Sequence, residues 1–165
     1  TVHDVDFLRH PDRLTAESIA AARLPVGMAV ITGRNTRLKE SLEARTWPVY
    51  TRVYGFARNM PDMMQAAYIL VTKAGPGTIC EALNANLPMI LYSRLPGQED
   101  GNISYVVDEG AGVWAPEPEQ IVAALRTWLD QPETHARVSA NCQRIARPHA
   151  ARQIAHLLGE MVGLD

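Results

Sequence analysis

Short apolar runs alternate with helix-length segments from Val26 to about Leu129, and this alternation restricts the fold more than any other feature. Residues 26–31 are nearly continuously apolar and stop at Thr32-Gly33-Arg34-Asn35, a strand followed by a turn. Strands are likewise expected at 49–54, stopped by Gly55, at 69–72, at 88–92 and at 112–115. Pro88 stands at the first position of its strand, where a missing N–H costs least. Helices are expected at 14–22, closed by Pro25, and at 36–44, where Leu38 and Leu42 are four apart. Others follow at 61–67, 78–86 and 102–109, the last with Gly110 placed to end it. Residues 118–129 are amphipathic, with Ile121, Val122, Leu125 and Leu129 on one side. The segments 132–145 and 148–161 close the chain as a helical pair. The rhythm predicts an α/β fold: an open parallel sheet with helices on both faces, in one domain spanning 1–165 with a helical tail at about 132–162. Val2, Val5 and Phe7 suggest a short edge strand or the end of a loop.

Composition narrows the function. Of 165 residues, 47% are hydrophobic, enough for a proper core, and the net charge is -2. With no basic tract, nucleic acid is a poor partner. Cys80 and Cys142 do not make a disulfide framework and are expected to be reduced core or near-core residues. No apolar run reaches the roughly 18 residues of a membrane span. The chain opens at Thr1 without Met or a signal-peptide pattern, as expected of a piece of something longer. His3, His10, His135, His149 and His156 are scattered without metal-site spacing, so neither metal nor cofactor is expected. No serine lies in a nucleophile-elbow context. The signs are of binding, without a nucleophile or base.

The binding signs centre on Val71-Thr72-Lys73-Ala74-Gly75-Pro76-Gly77-Thr78-Ile79-Cys80-Glu81-Ala82-Leu83. An apolar run ends, a glycine turn follows and a helix opens, which leaves free N–H groups where a phosphate can sit. Pro76 stiffens the turn, while Gly75 and Gly77 allow close approach and positive φ. The pattern is neither a dinucleotide fingerprint nor a nucleoside-triphosphatase loop. Glu81 lies three residues after Thr78 and four after Gly77, on their helical face, where a carboxylate reaches a sugar diol beside the phosphate. Thr78-x-x-Glu81 is equally a capping box, in which Glu81 only satisfies an orphan amide. Lys73 either offsets phosphate charge or is simply solvated.

The strand at 88–92 runs into Ser93-Arg94-Leu95-Pro96-Gly97-Gln98-Glu99-Asp100-Gly101-Asn102, which should open on the same sheet edge as Gly75. Gln98, Glu99 and Asn102 offer amide and carboxylate groups suited to paired bonds with vicinal hydroxyls. Glu99 and Asp100 are alternatively first-turn acids of the next helix, a reading that fits Asp100 better than Gln98. Gly33, Arg34 and Asn35 end an earlier strand, with Arg34 a candidate for a pyrophosphate or an ordinary exposed turn arginine. Gly55-Phe56-Ala57 offers backbone hydrogen bonds and an apolar wall to a base. The pair Met63 and Met64 reads as core filling.

These stretches, with Leu87-Pro88, resemble the C-terminal half of monogalactosyldiacylglycerol synthases, relatives of MurG and of processive diacylglycerol glucosyltransferases. The resemblance covers about residues 26–130. The motifs T-K-A-G-P-G-T-x-x-E-A and P-G-Q-E-x-G-N, about twenty residues apart, are specific when found together. It implies a Rossmann-like sheet, the C-terminal domain of a GT-B glycosyltransferase, whose N-terminal acceptor domain is absent here. By the resemblance, Phe56 and its neighbours face uracil, Glu81 holds the ribose hydroxyls, and the amides at Gly77 and Thr78, beside Gly75 and Pro76, hold the pyrophosphate. Gln98, Glu99 and Asn102 contact the hexose, and Gly33 and Arg34 lie near the phosphates. The family's domain opens with a central strand and a glycine-rich loop, whereas residues 1–13 contain no glycine.

The implied reaction is inverting transfer of a hexose, galactose over glucose, from UDP-hexose to 1,2-diacylglycerol, with the base in the missing domain and no metal. The isolated chain should then bind UDP without turnover. Peripheral association with the cytoplasmic face of a membrane is implied for the intact protein. The helices at 118–129 and 148–161 are only moderately basic, and packing on the sheet accounts for them. Other readings stay open: a polyprenyl-linked or other lipid acceptor, a UDP-sugar 2-epimerase, or a non-catalytic nucleotide-sugar-binding domain.

Overall fold

The computed structural model describes residues 11–163. Its elements follow in the order α1 (Pro11–Ala21), β1 (Met28–Ile31), α2 (Thr36–Glu43), β2 (Thr51–Tyr54), α3 (Met60–Ala66), β3 (Leu70–Lys73), α4 (Pro76–Asn84), β4 (Met89–Ser93), α5 (Asp100–Asp108), β5 (Gly112–Trp114), α6 (Pro118–Asp130), α7 (Pro132–Ile145) and α8 (Ala150–Met161). The expected βα alternation is present. The edge strand suggested around Val2, Val5 and Phe7 lies outside the described residues, as do His3 and His10.

All strand pairing is parallel. β1 pairs with β2, and β3, β4 and β5 form a separate ladder in that order. Each strand-to-strand connection within these sets carries a helix, as parallel pairing requires. β4 is central in its set, and its run Met89-Ile90-Leu91-Tyr92 is buried throughout, which is why it reads as continuously apolar rather than alternating.

The period-two geometry of β4 divides the core between the two faces of the sheet. Met89 and Leu91 pack in one cluster with Ile79, Ala82 and Leu83 of α4, Val106 of α5 and Cys142 and Ile145 of α7. Ile90 and Tyr92 pack in the other with Ile19 of α1 and Ile121, Leu125 and Trp128 of α6. Met28 of β1 packs on that second cluster beside Val71 of β3, so both strand sets share it. Each fully buried Leu, Ile or Met side chain stabilises by about 1.5–3 kcal/mol relative to exposure. β5 comes close to its neighbours because Gly112 has no side chain: a Cβ there would stand 2.4 Å from the Met89 carbonyl and 2.8 Å from Val106 Cγ1.

Three expectations need correction. Cys142 is buried as anticipated, but Cys80 is exposed, because it falls on the outer side of α4. α6 packs on the sheet, but α8 buries no side chain, and Ile154, Leu157, Leu158 and Met161 remain exposed along it. Gly75 and Gly77 are not in the left-handed region. That conformation occurs instead at Gly33 (φ 60°) and Gly97 (φ 79°), in the turns after β1 and β4.

Candidate functional site

In an open parallel sheet the carboxyl ends of the strands form a crest where loops gather and ligands sit. Here the crest consists of the residues after β1, β2, β3 and β4.

The β1 and β2 ends meet each other. Buried Thr32 donates its hydroxyl to the Tyr54 carbonyl at 3.1 Å, and its amide donates to the same oxygen at 2.9 Å. The left-handed turn at Gly33 then directs Arg34 toward the neighbouring loop, where its guanidinium carbon lies 5.5 Å from the centre of the Phe56 ring. Phe56 is 60% exposed. A cation over an exposed ring attracts it weakly, by about 0.5–1 kcal/mol, and brings the two side chains together at the crest. Asn35 serves as the N-cap of α2, its side-chain oxygen accepting from the Leu38 amide at 3.0 Å.

The β3 end supplies the helix start. α4 begins at Pro76, two residues before the expected position, with Gly75 as its N-cap. Proline suits the first helical position, where its absent N–H is not missed. Thr78 is therefore the third residue of the helix rather than its cap, and the capping box read from the sequence does not form. The Gly77 and Thr78 amides find no acceptor among the described residues, and no acidic residue occupies the first turn of α4. Both the unmet donors and the helix dipole therefore present positive character at this end of α4. A Cβ on Gly77 would meet nothing within 4 Å, so the space in front of these amides is open.

Glu81 is exposed farther along α4, and its carboxylate makes no hydrogen bond or ion pair among the described residues. With Pro61 and Gln65 of α3, and with Asn84 and Ala85, it lines a shallow cavity of about 180 Å³. α3 follows directly from the Phe56 loop, so Glu81 lies on the side of α4 that faces that loop's continuation. Lys73, at the end of β3, is half-buried.

The β4 end carries the polar loop, tied to the β3 end at one point: the Asn102 side-chain amide donates to the Ala74 carbonyl at 2.8 Å. Asn102 thus joins the two loops, with its side-chain oxygen left over. Glu99 accepts from the Leu95 amide through Oε2 at 2.6 Å, while its Oε1 would lie 3.8 Å from a Cβ on Gly75. Gln98 is exposed, and its side chain makes no hydrogen bond among the described residues. Asp100 is the first residue of α5. It accepts from the Gly97 amide at 2.7 Å and pairs with Arg94 Nε. The Gly97 amide, and then Arg94, hold its carboxyl below the usual carboxylate range. The start of α5 thus carries an acid in its own first turn, whereas the α4 amides donate nothing to the nearby acid, Glu99, which borders the N-cap Gly75.

Gly33, Arg34 and Phe56 therefore form one group, and Gly75, Pro76, Gly77, Thr78, Glu99 and Asn102 another, with Gln98 beside it and Glu81 on the flank of α4. Arg94 and Trp114 enter only with the fold: the sequence shows a charged pair, Arg94 and Asp100, flanking a Pro-Gly turn, but not the ring that Arg94 meets.

Residues 13–155 match the family described as Glycosyltransferase family 28 C-terminal domain. The chain belongs to this family. It is 40% identical over 141 residues to Monogalactosyldiacylglycerol synthase 2, chloroplastic, of Arabidopsis thaliana, covering 84% of the chain and 30% of that protein. It is 41% identical over 154 residues to Probable monogalactosyldiacylglycerol synthase, chloroplastic, of Glycine max, covering 92% of the chain and 28% of that protein. The chain thus spans about three tenths of the length of these curated relatives. Among solved structures, Acinetobacter baumannii MurG aligns with a TM-score of 0.71 at 19% identity, over 91% of this chain and 46% of that one. The chain's parallel strands with helices on both faces give the open α/β arrangement that its alternation predicts, and the alignment with MurG shows the same fold.

Proposed function

We propose that this family 28 C-terminal domain is the donor-binding half of a glycosyltransferase that moves a hexose, galactose in preference to glucose, from UDP-hexose to 1,2-diacylglycerol with inversion. One observation carries the reading. The first turn of α4 presents two amides with no hydrogen-bond acceptor among the described residues and carries no acid of its own, and an unpartnered carboxylate, Glu81, stands farther along the same helix. A diphosphate satisfies the amides, and an attached ribose brings a diol to the carboxylate. Arg34 and Phe56 supply a cation and a ring at the neighbouring loops. As the bond to the sugar breaks, negative charge accumulates on the departing diphosphate. Fixed amides stabilise that charge without having to reorganise. Gln98, Glu99 and the remaining oxygen of Asn102 face the hexose in this reading.

The relatives' names support galactose and diacylglycerol as the transferred sugar and acceptor. The acceptor is a bilayer lipid, so the intact protein works as a peripheral protein at a membrane, by the sequence reading on its cytoplasmic face. Among the described residues no helix is long and apolar enough to cross a membrane.

Calorimetric titration of UDP tests the site. A hydrogen bond to a charged group contributes about 1.5–3 kcal/mol, so Glu81→Ala should weaken UDP roughly ten- to hundredfold. Equal affinity in wild type and variant would remove Glu81 from the site. Product analysis of the intact protein with UDP-galactose, UDP-glucose and either diacylglycerol or a polyprenyl-linked acceptor tests the reaction. Transfer to diacylglycerol is expected. Epimerised UDP-sugar or no transfer would overturn the assignment.

A further inference from the structure

The loop after β4 is held from behind. We propose that Arg94 is a positioning residue for recognition of the donor's sugar, fixing residues 95–99 so that Gln98 and Glu99 meet the hexose. The inference rests on the donor-binding reading above.

Arg94 follows directly after β4, and its guanidinium carbon lies 5.5 Å from the centre of the Trp114 ring, at the end of β5. Trp114 is half-buried and packs on the core cluster beneath α4, α5 and α7, so it is a firm base. The same guanidinium pairs with Asp100, whose other oxygen takes the Gly97 amide. Leu95, the first residue of the loop, ties its start to its far end. Its carbonyl accepts from the Gln98 and Glu99 amides at 3.2 and 3.0 Å, and its amide donates to Glu99.

An exposed ion pair alone fixes little, and both partners here are part-exposed. What this pair adds is a connection. One planar cation joins the aromatic ring at the end of β5 to the acid that opens α5. The loop between carries Gln98, which has no partner of its own, and Glu99, which borders Gly75. Arg94 pairs with Asp100 and Trp114, and not with Gly77, Thr78 or Glu81. Its removal should therefore loosen the hexose contact and leave the nucleotide contact in place.

The experiment is calorimetric titration of UDP and of UDP-galactose into wild type, Arg94→Ala, Arg94→Lys, Gln98→Ala and the Arg94→Ala/Gln98→Ala double variant. In wild type, UDP-galactose should bind more tightly than UDP. Arg94→Ala should cut that advantage by about tenfold and leave UDP within about twofold. Arg94→Lys keeps the charge without the planar fork and should restore part of the advantage. The double variant should lose less than the sum of the singles, because Arg94 acts through Gln98. If wild type binds no UDP, the donor-binding reading fails and takes this inference with it. If UDP binds but Arg94→Ala weakens both ligands alike or neither, the inference alone is overturned. Equal affinity of wild type for the two ligands overturns it as well, since there is then no sugar contact to position.

Discussion

Gly77 shows how a residue can matter for what it leaves empty. Its backbone is ordinary and a Cβ would touch nothing, so Gly77→Ala should fold without strain. Alanine favours helix by up to about 1 kcal/mol over glycine, and the melting temperature should hold or rise. UDP affinity should nonetheless fall about tenfold, because the methyl group stands where a phosphate would approach the amides. Thermal melting and calorimetry on the same sample check both halves, and unchanged UDP affinity would place the diphosphate elsewhere. The glycine turn, Glu81 and the polar loop could be singled out from sequence because each is local, a few residues in a recognisable order. The capping-box alternative for Glu81 was removed by Pro76, which starts the helix two residues early and so takes Thr78 out of the cap position. Arg94 could not be found this way. Its meaning depends on Trp114, which reaches it only once β5 has paired beside β4.

Among the elements, β5 shows how close packing fixes the framework. Gly112 sits at the amino-terminal end of the strand, opposite Met89 and away from the crest. Gly112→Ala would drive a methyl group against a backbone carbonyl that cannot move aside. A loss of about 1–3 kcal/mol is expected in denaturant unfolding, with UDP affinity of the folded fraction unchanged. Wild-type stability in this variant would mean that β5 can shift without disturbing β4. The strands were readable because each is a short apolar run closed by Gly, Pro or a polar turn, and β4 in particular because both its faces are covered. Helix ends were less readable, as α4 and α5 each start two residues before the expected position, inside segments whose glycines suggest a turn.

For the molecule as a whole, the two thiols report whether the layers are closed. Burial pushes the Cys142 thiol up to about 11, and its sulfur faces the Leu87 and Ala111 carbonyls beneath the sheet. Cys80 is exposed. A thiol reagent at neutral pH should label about one site per native chain and both in denaturant. Two native labels would mean that α7 does not stay closed over β4. The folded thiol ionises at a higher pH than the unfolded one, so its ionisation draws the chain toward unfolding as pH climbs from about 9 toward 11, and stability should decline over that range. Sequence separated these cysteines poorly, since both lie in helical patterns and only packing decides which is covered. The final helix leads to a practical consequence. Ile154, Leu157, Leu158 and Met161 form a stripe at helical spacing that nothing in the described fold shelters. Oily surface of that kind retains a standing tendency to leave water. The purified domain should therefore adhere to resins, vessel walls and detergent micelles, and its sedimentation should change as it is concentrated.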